Sequence, residues 1–285
     1  MTQVARTVWI NGQFVAEQDA KISIFDRGLL FADAVYEGFG VLNGRITDID
    51  KHMARLQRSM SELNMSMPYT TAELHDILLE LIRRNQQQEC FLYLHITRGE
   101  HDRDYLYPEG LKPNMFAFTQ PLHGGQANTP AEPLRLASSE DLRWARRDIK
   151  TSNLLGQVLA KKVAQHQGAD EALMVDQEGY VTEAGAMSFF IAKDGEIIAR
   201  QLNRELLPGV TRNTMLEAAI NINVPVVERL YTLQEVYAAD EAFATGASSY
   251  IQPVTEVDGN VIGNGQMGAI TNKLREAYLS LITGS

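Results

Sequence analysis

The 285-residue sequence has a single cysteine, Cys90. One thiol can form no intrachain disulfide and no metal site built on cysteines alone, which fits a reducing compartment. No run is long and apolar enough to span a bilayer. The stretch from Met1 to Arg6 lacks the apolar core of a secretory signal. There is no internal repeat and no low-complexity tract. Positive charge is in deficit too: 26 Lys and Arg stand against 36 Asp and Glu, a formal net charge of −10. That argues against a general nucleic-acid binder, although a local arginine cluster can oppose the global sign. The expectation is a cytoplasmic protein without membrane or nucleic-acid partners. The 45% hydrophobic content is ordinary for a globular chain, and the length suits one or two domains.

What is present predicts strands and helices in mixed order. Thr7–Ile10 and Phe14–Ala16 flank Asn11-Gly12, a hairpin signal. Residues 34–41 read as a strand turning at Asn43-Gly44. From Asp48 to Asn64, Ile49, Met53, Leu56, Met60 and Leu63 fall on one helical face. Thr70 and Glu73 have capping-box spacing and open a helix through Arg84. Residues 91–97 and 115–119 are β-rich. Residues 121–133 are rich in Gly, Pro, Gln, Asn and Thr without periodicity, and mark a boundary. Strand character resumes at 134–137, a helix follows over 154–167, and strands over 172–175, 188–191 and 196–199. Helices close the chain at 212–222, after the Thr232/Glu235 capping pair, and at 267–282. The expected architecture is α+β with two domains, 1–120 and 134–285, joined by the 121–133 loop. The second carries the candidate lysine, and a cleft lies between them.

Three segments carry the chemistry. Arg146 to Leu155 contains Asp148-Ile149-Lys150 followed by Ser152-Asn153-Leu154-Leu155. Gly179-Tyr180-Val181-Thr182-Glu183 comes about thirty residues later, and Leu206-Leu207-Pro208-Gly209-Val210-Thr211-Arg212 follows. A lysine, a carboxylate in a strand-like context and a glycine-led turn opening a helix are what pyridoxal 5′-phosphate needs. An imine-forming lysine must be neutral part of the time, which burial and neighbouring cations such as Arg146 and Arg147 favour. Helix-start N–H groups suit a phosphate, and glycine lets the backbone approach closely. Taken singly, Lys150 reads sooner as a surface lysine and Glu183 as an exposed strand-end glutamate, and a generic loop-to-helix junction explains Gly209–Thr211 as well. Lys161 and Lys162 are the nearest rival lysines, at mid-helix.

In this order and spacing the segments resemble the class IV, or fold type IV, aminotransferases. Asp141-Leu142-Arg143-Trp144 leading into Asp148-Ile149-Lys150 is most similar to the D-amino acid aminotransferases. The resemblance covers nearly the whole chain. It implies a two-domain α+β fold of that type and pyridoxal 5′-phosphate as cofactor. It makes Lys150 the catalytic residue, both the cofactor's attachment point and the base that moves the substrate Cα proton. Glu183 is then the partner of the ring nitrogen, and Leu207 packs on the ring. Arg55, Val210, Thr211, Ala247 and Ser248 hold the phosphate. Tyr36, Arg103 and Tyr105 bind the substrate carboxylate, the last two on a loop reaching in from the other subunit of a homodimer. The substrates implied are amino acids and 2-oxo acids, D-alanine and D-glutamate among the donors, and no metal is implied.

Four positions depart from the pattern. Ser188 stands where the class usually has asparagine, and Tyr105 where the D-specific trap has histidine. The turn Thr245-Gly246-Ala247-Ser248 is poorer in hydroxyls than in many relatives. Tyr36-Glu37-Gly38 is closer to the branched-chain aminotransferases. Branched-chain transamination therefore stays open as an alternative. So does 4-amino-4-deoxychorismate lyase chemistry, which shares the lysine, glutamate and phosphate cup.

Overall fold

A computed structural model describes residues 6–122 and 129–284. The stretch before Arg6, read above as lacking a signal core, and residues 123–128 of the expected boundary loop lie outside the described residues. The chain divides into two units.

The first unit holds β1 (Thr7–Ile10), β2 (Gln13–Ala16), α1 (Arg27–Phe31), β3 (Ala34–Leu42), β4 (Arg45–Ile46), α2 (Ile49–Glu62), α3 (Thr71–Arg84), β5 (Cys90–Thr97) and β6 (Met115–Gln120). Its six-stranded sheet runs in the order β2-β1-β6-β5-β3-β4. The β1–β2 hairpin turns on Asn11 and Gly12, both at positive φ (47° and 91°), as a two-residue turn requires. The Thr70–Glu73 capping box forms and opens α3. Strand parity builds the core. Val35, Phe39 and Val41 from β3 join Leu92, Leu94 and Ile96 from β5 and Met115 and Ala117 from β6, against Met53, Leu56 and Met60 of α2 and Leu74, Leu78 and Leu81 of α3. The alternate residues Tyr36, Tyr93, His95, Phe116 and Phe118 pack ring to ring, as period 2 dictates.

The second unit holds β7 (Leu134–Glu140), α4 (Leu155–His166), β8 (Glu171–Val175), β9 (Val181–Ala184), β10 (Ser188–Lys193), β11 (Glu196–Ala199), α5 (Val210–Asn221), β12 (Val226–Glu228), α6 (Leu233–Tyr237), β13 (Glu241–Gly246), β14 (Tyr250–Val257), β15 (Asn260–Val261) and α7 (Ala269–Thr283). Eight strands follow the order β12-β11-β10-β13-β14-β7-β8-β9, with β15 on β14. β7 runs parallel to both β14 and β8, and most other pairings are antiparallel. Two-residue turning at Asp194-Gly195 joins β10 to β11. Leu173, Val181, Phe189, Ile191, Tyr231, Val236 and Val254 form the main core.

The lysine segment corrects the expected division. Residues 149–153 belong to the first unit, not to the second as the sequence order suggested. The reason is backbone pairing along β3: Thr151 bridges Val35, Tyr36 N–H donates to Lys150 O at 3.0 Å, and Ser152 N–H donates to Ala34 O at 3.2 Å. β4 covers β3 only at Val41 and Leu42, which leaves the other end of that edge for the lysine segment. No helix among the described residues is long and apolar enough to cross a membrane.

Candidate active site

The candidate residues fall into two groups, one in each unit. In the first, the edge pairing on β3 places Lys150 Nζ 3.3 Å from the hydroxyl of Tyr36 and 4.3 Å from the centre of its ring. The Lys150 N–H donates to Ser59 Oγ at 3.3 Å. Ser59 stands on α2, four residues after Arg55, so one helix serves both candidates. The rival lysines are committed elsewhere: Lys161 Nζ pairs with Glu171 at 2.8 Å and Lys162 Nζ donates to Gln165 at 2.8 Å. Arg146 and Arg147 are not lone cations either. The first pairs with Asp148 at 2.9 Å and the second sits 3.6 Å from Asp141.

Arg55 has a partner that the sequence reading missed. Strand parity turns Glu37 to the face of β3 that meets α2. There Arg55 Nε and Nη2 donate to its two oxygens at 2.8 and 2.7 Å. His52, one helical turn before Arg55, places Nδ1 2.7 Å from Glu37 Oε2. A carboxylate only accepts, so that nitrogen carries the hydrogen. Burial raises the Glu37 pKa, but Arg55 and His52 outweigh it and hold the group at about 2. Burial lowers the His52 pKa against the pull of Glu37. The charge on Glu37 therefore stabilises the fold fully above its ordinary value, 4.5, and that stabilisation is lost as pH falls through about 2. Glu37→Gln is expected to cost roughly 2–3 kcal/mol at neutral pH. In thermal melts, the gap to wild type should close as the pH is lowered through that window. A gap independent of pH would show that the charge on Glu37 contributes nothing.

Arg103 and Tyr105 lie on an exposed loop after β5. Arg27, paired with Asp33 at 2.9 Å, donates to Asp104 O at 2.7 Å and Tyr105 O at 3.4 Å. Arg103 packs its guanidinium over Phe31 and Tyr105. Among the described residues it pairs with no carboxylate, and neither Arg103 nor Tyr105 makes a hydrogen bond or ring contact with Tyr36 or Lys150.

In the second unit Glu183, on β9, is buried. Arg143 Nη1 donates to it at 2.5 Å. Burial raises the pKa of Glu183 above the usual carboxylate value, against Arg143 and Leu207. Leu207 itself is half-buried, while Val210 and Thr211 are buried in the first turn of α5. Gly209 caps that helix without a side-chain hydrogen bond, so the first N–H groups have no partner within the helix. A Cβ on Gly209 would meet Ser188 Oγ at 2.8 Å. Ser188 in turn pairs across strands with Thr245, which brings the turn holding Ala247 and Ser248 alongside. Thr245 Oγ1 is buried with no hydrogen-bond partner. Open helix-start donors, a glycine that leaves room and an orphaned hydroxyl fit a phosphate group.

The class IV amino-transferase family model matches residues 34–257, and the chain belongs to that family. It is an aminotransferase of fold type IV, and its cofactor is pyridoxal 5′-phosphate. Two relatives divide over the substrate. A Methanocaldococcus jannaschii protein with the provisional name of branched-chain-amino-acid aminotransferase is 36% identical over 97% of this chain and 96% of its own. The D-alanine aminotransferase of Staphylococcus haemolyticus is 34% identical over 95% of this chain and 96% of its own. Among solved structures, the branched-chain aminotransferase of the thermophilic archaeon Thermoproteus uzoniensis, with norvaline, superposes with a TM-score of 0.86. It is 29% identical, covering 98% of this chain and 95% of that one.

Proposed function

We propose that the chain moves amino groups between D-amino acids, D-alanine and D-glutamate foremost, and 2-oxo acids. The observation that supports this reading most is Arg103: a guanidinium on an exposed loop, stacked on Phe31 and paired with no carboxylate among the described residues. A guanidinium takes a carboxylate bidentately, and the Tyr105 phenol can add one hydrogen bond. In this reading the chain holds pyridoxal 5′-phosphate. Arg55, Val210, Thr211, Ala247 and Ser248 bind its phosphate, and Leu207 covers its ring. Glu183 keeps the proton on its ring nitrogen.

The bound cofactor supplies the electron sink for the substrate Cα electron pair. Lys150 would anchor the cofactor and, with its amine free, would carry the proton away from the substrate Cα as a general base. Tyr36, 3.3 Å away, orients that amine and contributes to carboxylate binding. The working unit in this reading is a homodimer in which the Arg103 loop serves the neighbouring copy. Tyr105 and Leu106 are 76% and 80% exposed, and Ile24 and Leu29 of the same unit are 71% and 68% exposed. Apolar side chains so placed favour a covering surface. A cytoplasmic setting is supported by the lone, buried Cys90.

One observation favours a second reading, transamination of L-branched-chain amino acids. Phe91 lies over Gly38, where a Cβ would meet its ring atoms at 2.6 and 2.7 Å. A larger residue, as in the D-specific pattern, does not fit unless Phe91 moves. The test is the donor half-reaction, followed by cofactor absorbance, with D-alanine, D-glutamate, L-leucine and L-isoleucine. The D donors are expected to react faster. Arg103→Ala should weaken them roughly tenfold to a hundredfold in apparent affinity, the worth of a charged hydrogen-bonded pair, and leave the cofactor spectrum unchanged. Faster reaction with the L-branched donors would overturn the D assignment.

A further inference from the structure

The segment Asp141-Leu142-Arg143-Trp144 has no role in the reading above, yet it supplies the closest partner of Glu183. Arg143 is buried to 5% side-chain exposure and divides its guanidinium between two carboxylates. Asp141 takes Nε and Nη2 at 2.9 and 2.7 Å, and Glu183 takes Nη1 at 2.5 Å. The two-residue spacing lets Asp141 grip the fork bidentately, which fixes the plane of Arg143. Asp141 is itself held by the hydroxyl of Thr182 at 2.7 Å, the residue before Glu183, and by Arg147 at 3.6 Å. The loop before the lysine is thus tied at two points to the strand that carries the carboxylate.

We propose that Arg143 is a positioning residue for the reaction, one that keeps Glu183 an ionised acceptor so that the proton of its pair with the cofactor ring nitrogen rests on the nitrogen. This rests on the reading that Glu183 meets that nitrogen. A buried carboxylate without a cation takes up a proton itself, because burial disfavours its charged form. Were Glu183 to hold the proton, the ring would be neutral and the electron sink weaker. Arg143 lowers the basicity of Glu183 without covering both of its oxygens, since only Nη1 is directed to it. Asp141 works the other way: its negative charge raises the basicity of Glu183 while it holds Arg143 in place. Tyr231 is also in electrostatic reach, with its hydroxyl donated to Phe189 O at 2.9 Å.

The opposed signs of Arg143 and Asp141 give the test. Holoenzyme is reconstituted with cofactor labelled with ¹⁵N in the ring, and the nitrogen's protonation is read by NMR across pH. Cofactor dissociation constants and melting temperatures are measured alongside. Arg143→Gln is expected to shift the nitrogen toward its unprotonated signature and to lower turnover roughly tenfold to a hundredfold. Arg143→Lys, which keeps the charge, should restore the protonated signature. Asp141→Asn should leave the nitrogen protonated at neutral pH, even where it weakens the fold, because it makes Glu183 less basic rather than more. If Arg143→Gln does not fold, Asp141→Asn and Arg143→Lys still decide the matter. A protonated nitrogen in Arg143→Gln, or an equal loss of protonation in Asp141→Asn, would overturn the proposal and make the pair a structural brace. Failure of the underlying reading looks different: Glu183→Gln would then leave the nitrogen protonated as in wild type, whatever stands at position 143.

Discussion

Lys150→Ala is expected to abolish transamination, with turnover falling on the order of a thousandfold or more while the melting temperature changes little. On the proposed reading two roles vanish with one amine: the cofactor's covalent attachment and the base that moves the Cα proton, the latter alone accounting for about 10²–10⁴ in rate. The fold should tolerate the change. The segment is docked by its main chain, through Tyr36 N–H on Lys150 O and Lys150 N–H on Ser59, and alanine keeps both bonds. Among the described residues, the Nζ is spent only on the Tyr36 hydroxyl at 3.3 Å and on the face of its ring. Borohydride reduction of the wild-type holoenzyme, followed by peptide mapping, should place the pyridoxyl group on residue 150. A label on Lys161 or Lys162 would sink the assignment, and their pairing with Glu171 and Gln165 argues against it. The same variant tests the dimer. Mixed with Arg103→Ala and allowed to exchange, it should regain about a quarter of wild-type activity, since half of randomly formed dimers are hybrids with one intact site of two. No recovery after proven exchange would mean that the Arg103 loop serves its own chain.

The second large effect is expected from Glu183→Gln. Glutamine fills the same volume on β9 and can still accept from Arg143, so the second unit should fold. On the proposed reading, what disappears is the negative charge opposite the ring nitrogen. Loss of one preorganised charge partner costs on the order of a hundredfold to a thousandfold in turnover. Cofactor affinity should fall far less, because the helix-start donors of α5 and the Thr245–Ser248 turn are untouched. The check is a split measurement, single-turnover rate against cofactor dissociation constant. Wild-type turnover in this variant would place the ring's partner elsewhere.

Much of this was legible from pattern. The hairpin at Asn11-Gly12, the capping boxes at Thr70 and Thr232 and the apolar face of α2 rest on local rules, and the structure keeps them. Other elements were hidden for physical reasons. β14 lies between β13 and β7 yet contains Pro253, which lacks a ladder donor and marks a strand as peripheral. β13, Glu-Ala-Phe-Ala-Thr-Gly, has little β-branched content to announce it. α1 is only five residues long, too short for a helical period. For the site, it was the resemblance to the class IV aminotransferases, rather than any residue taken alone, that pointed to Lys150, Glu183 and the Gly209 turn. Glu37 was quoted only as a neighbour of Tyr36 and Gly38. Its parity with Val35 and Phe39 puts it on the buried face, where a carboxylate must find a cation, and that signal was available. The attachment of residues 149–153 to the first unit was not. Pairing across more than a hundred residues leaves no trace in local composition.

That long-range pairing has a consequence for synthesis. As the nascent chain leaves the ribosome, β1 to β6 emerge first and can assemble their sheet, but the edge of β3 at Ala34–Tyr36 stays uncovered. The covering segment comes only after β7 has been made. An uncovered strand edge is a template for pairing with other chains, and contacts of such sequence separation form slowly. A fragment ending near residue 122 should therefore aggregate along this edge, whereas one extended through residue 153 carries its own cover.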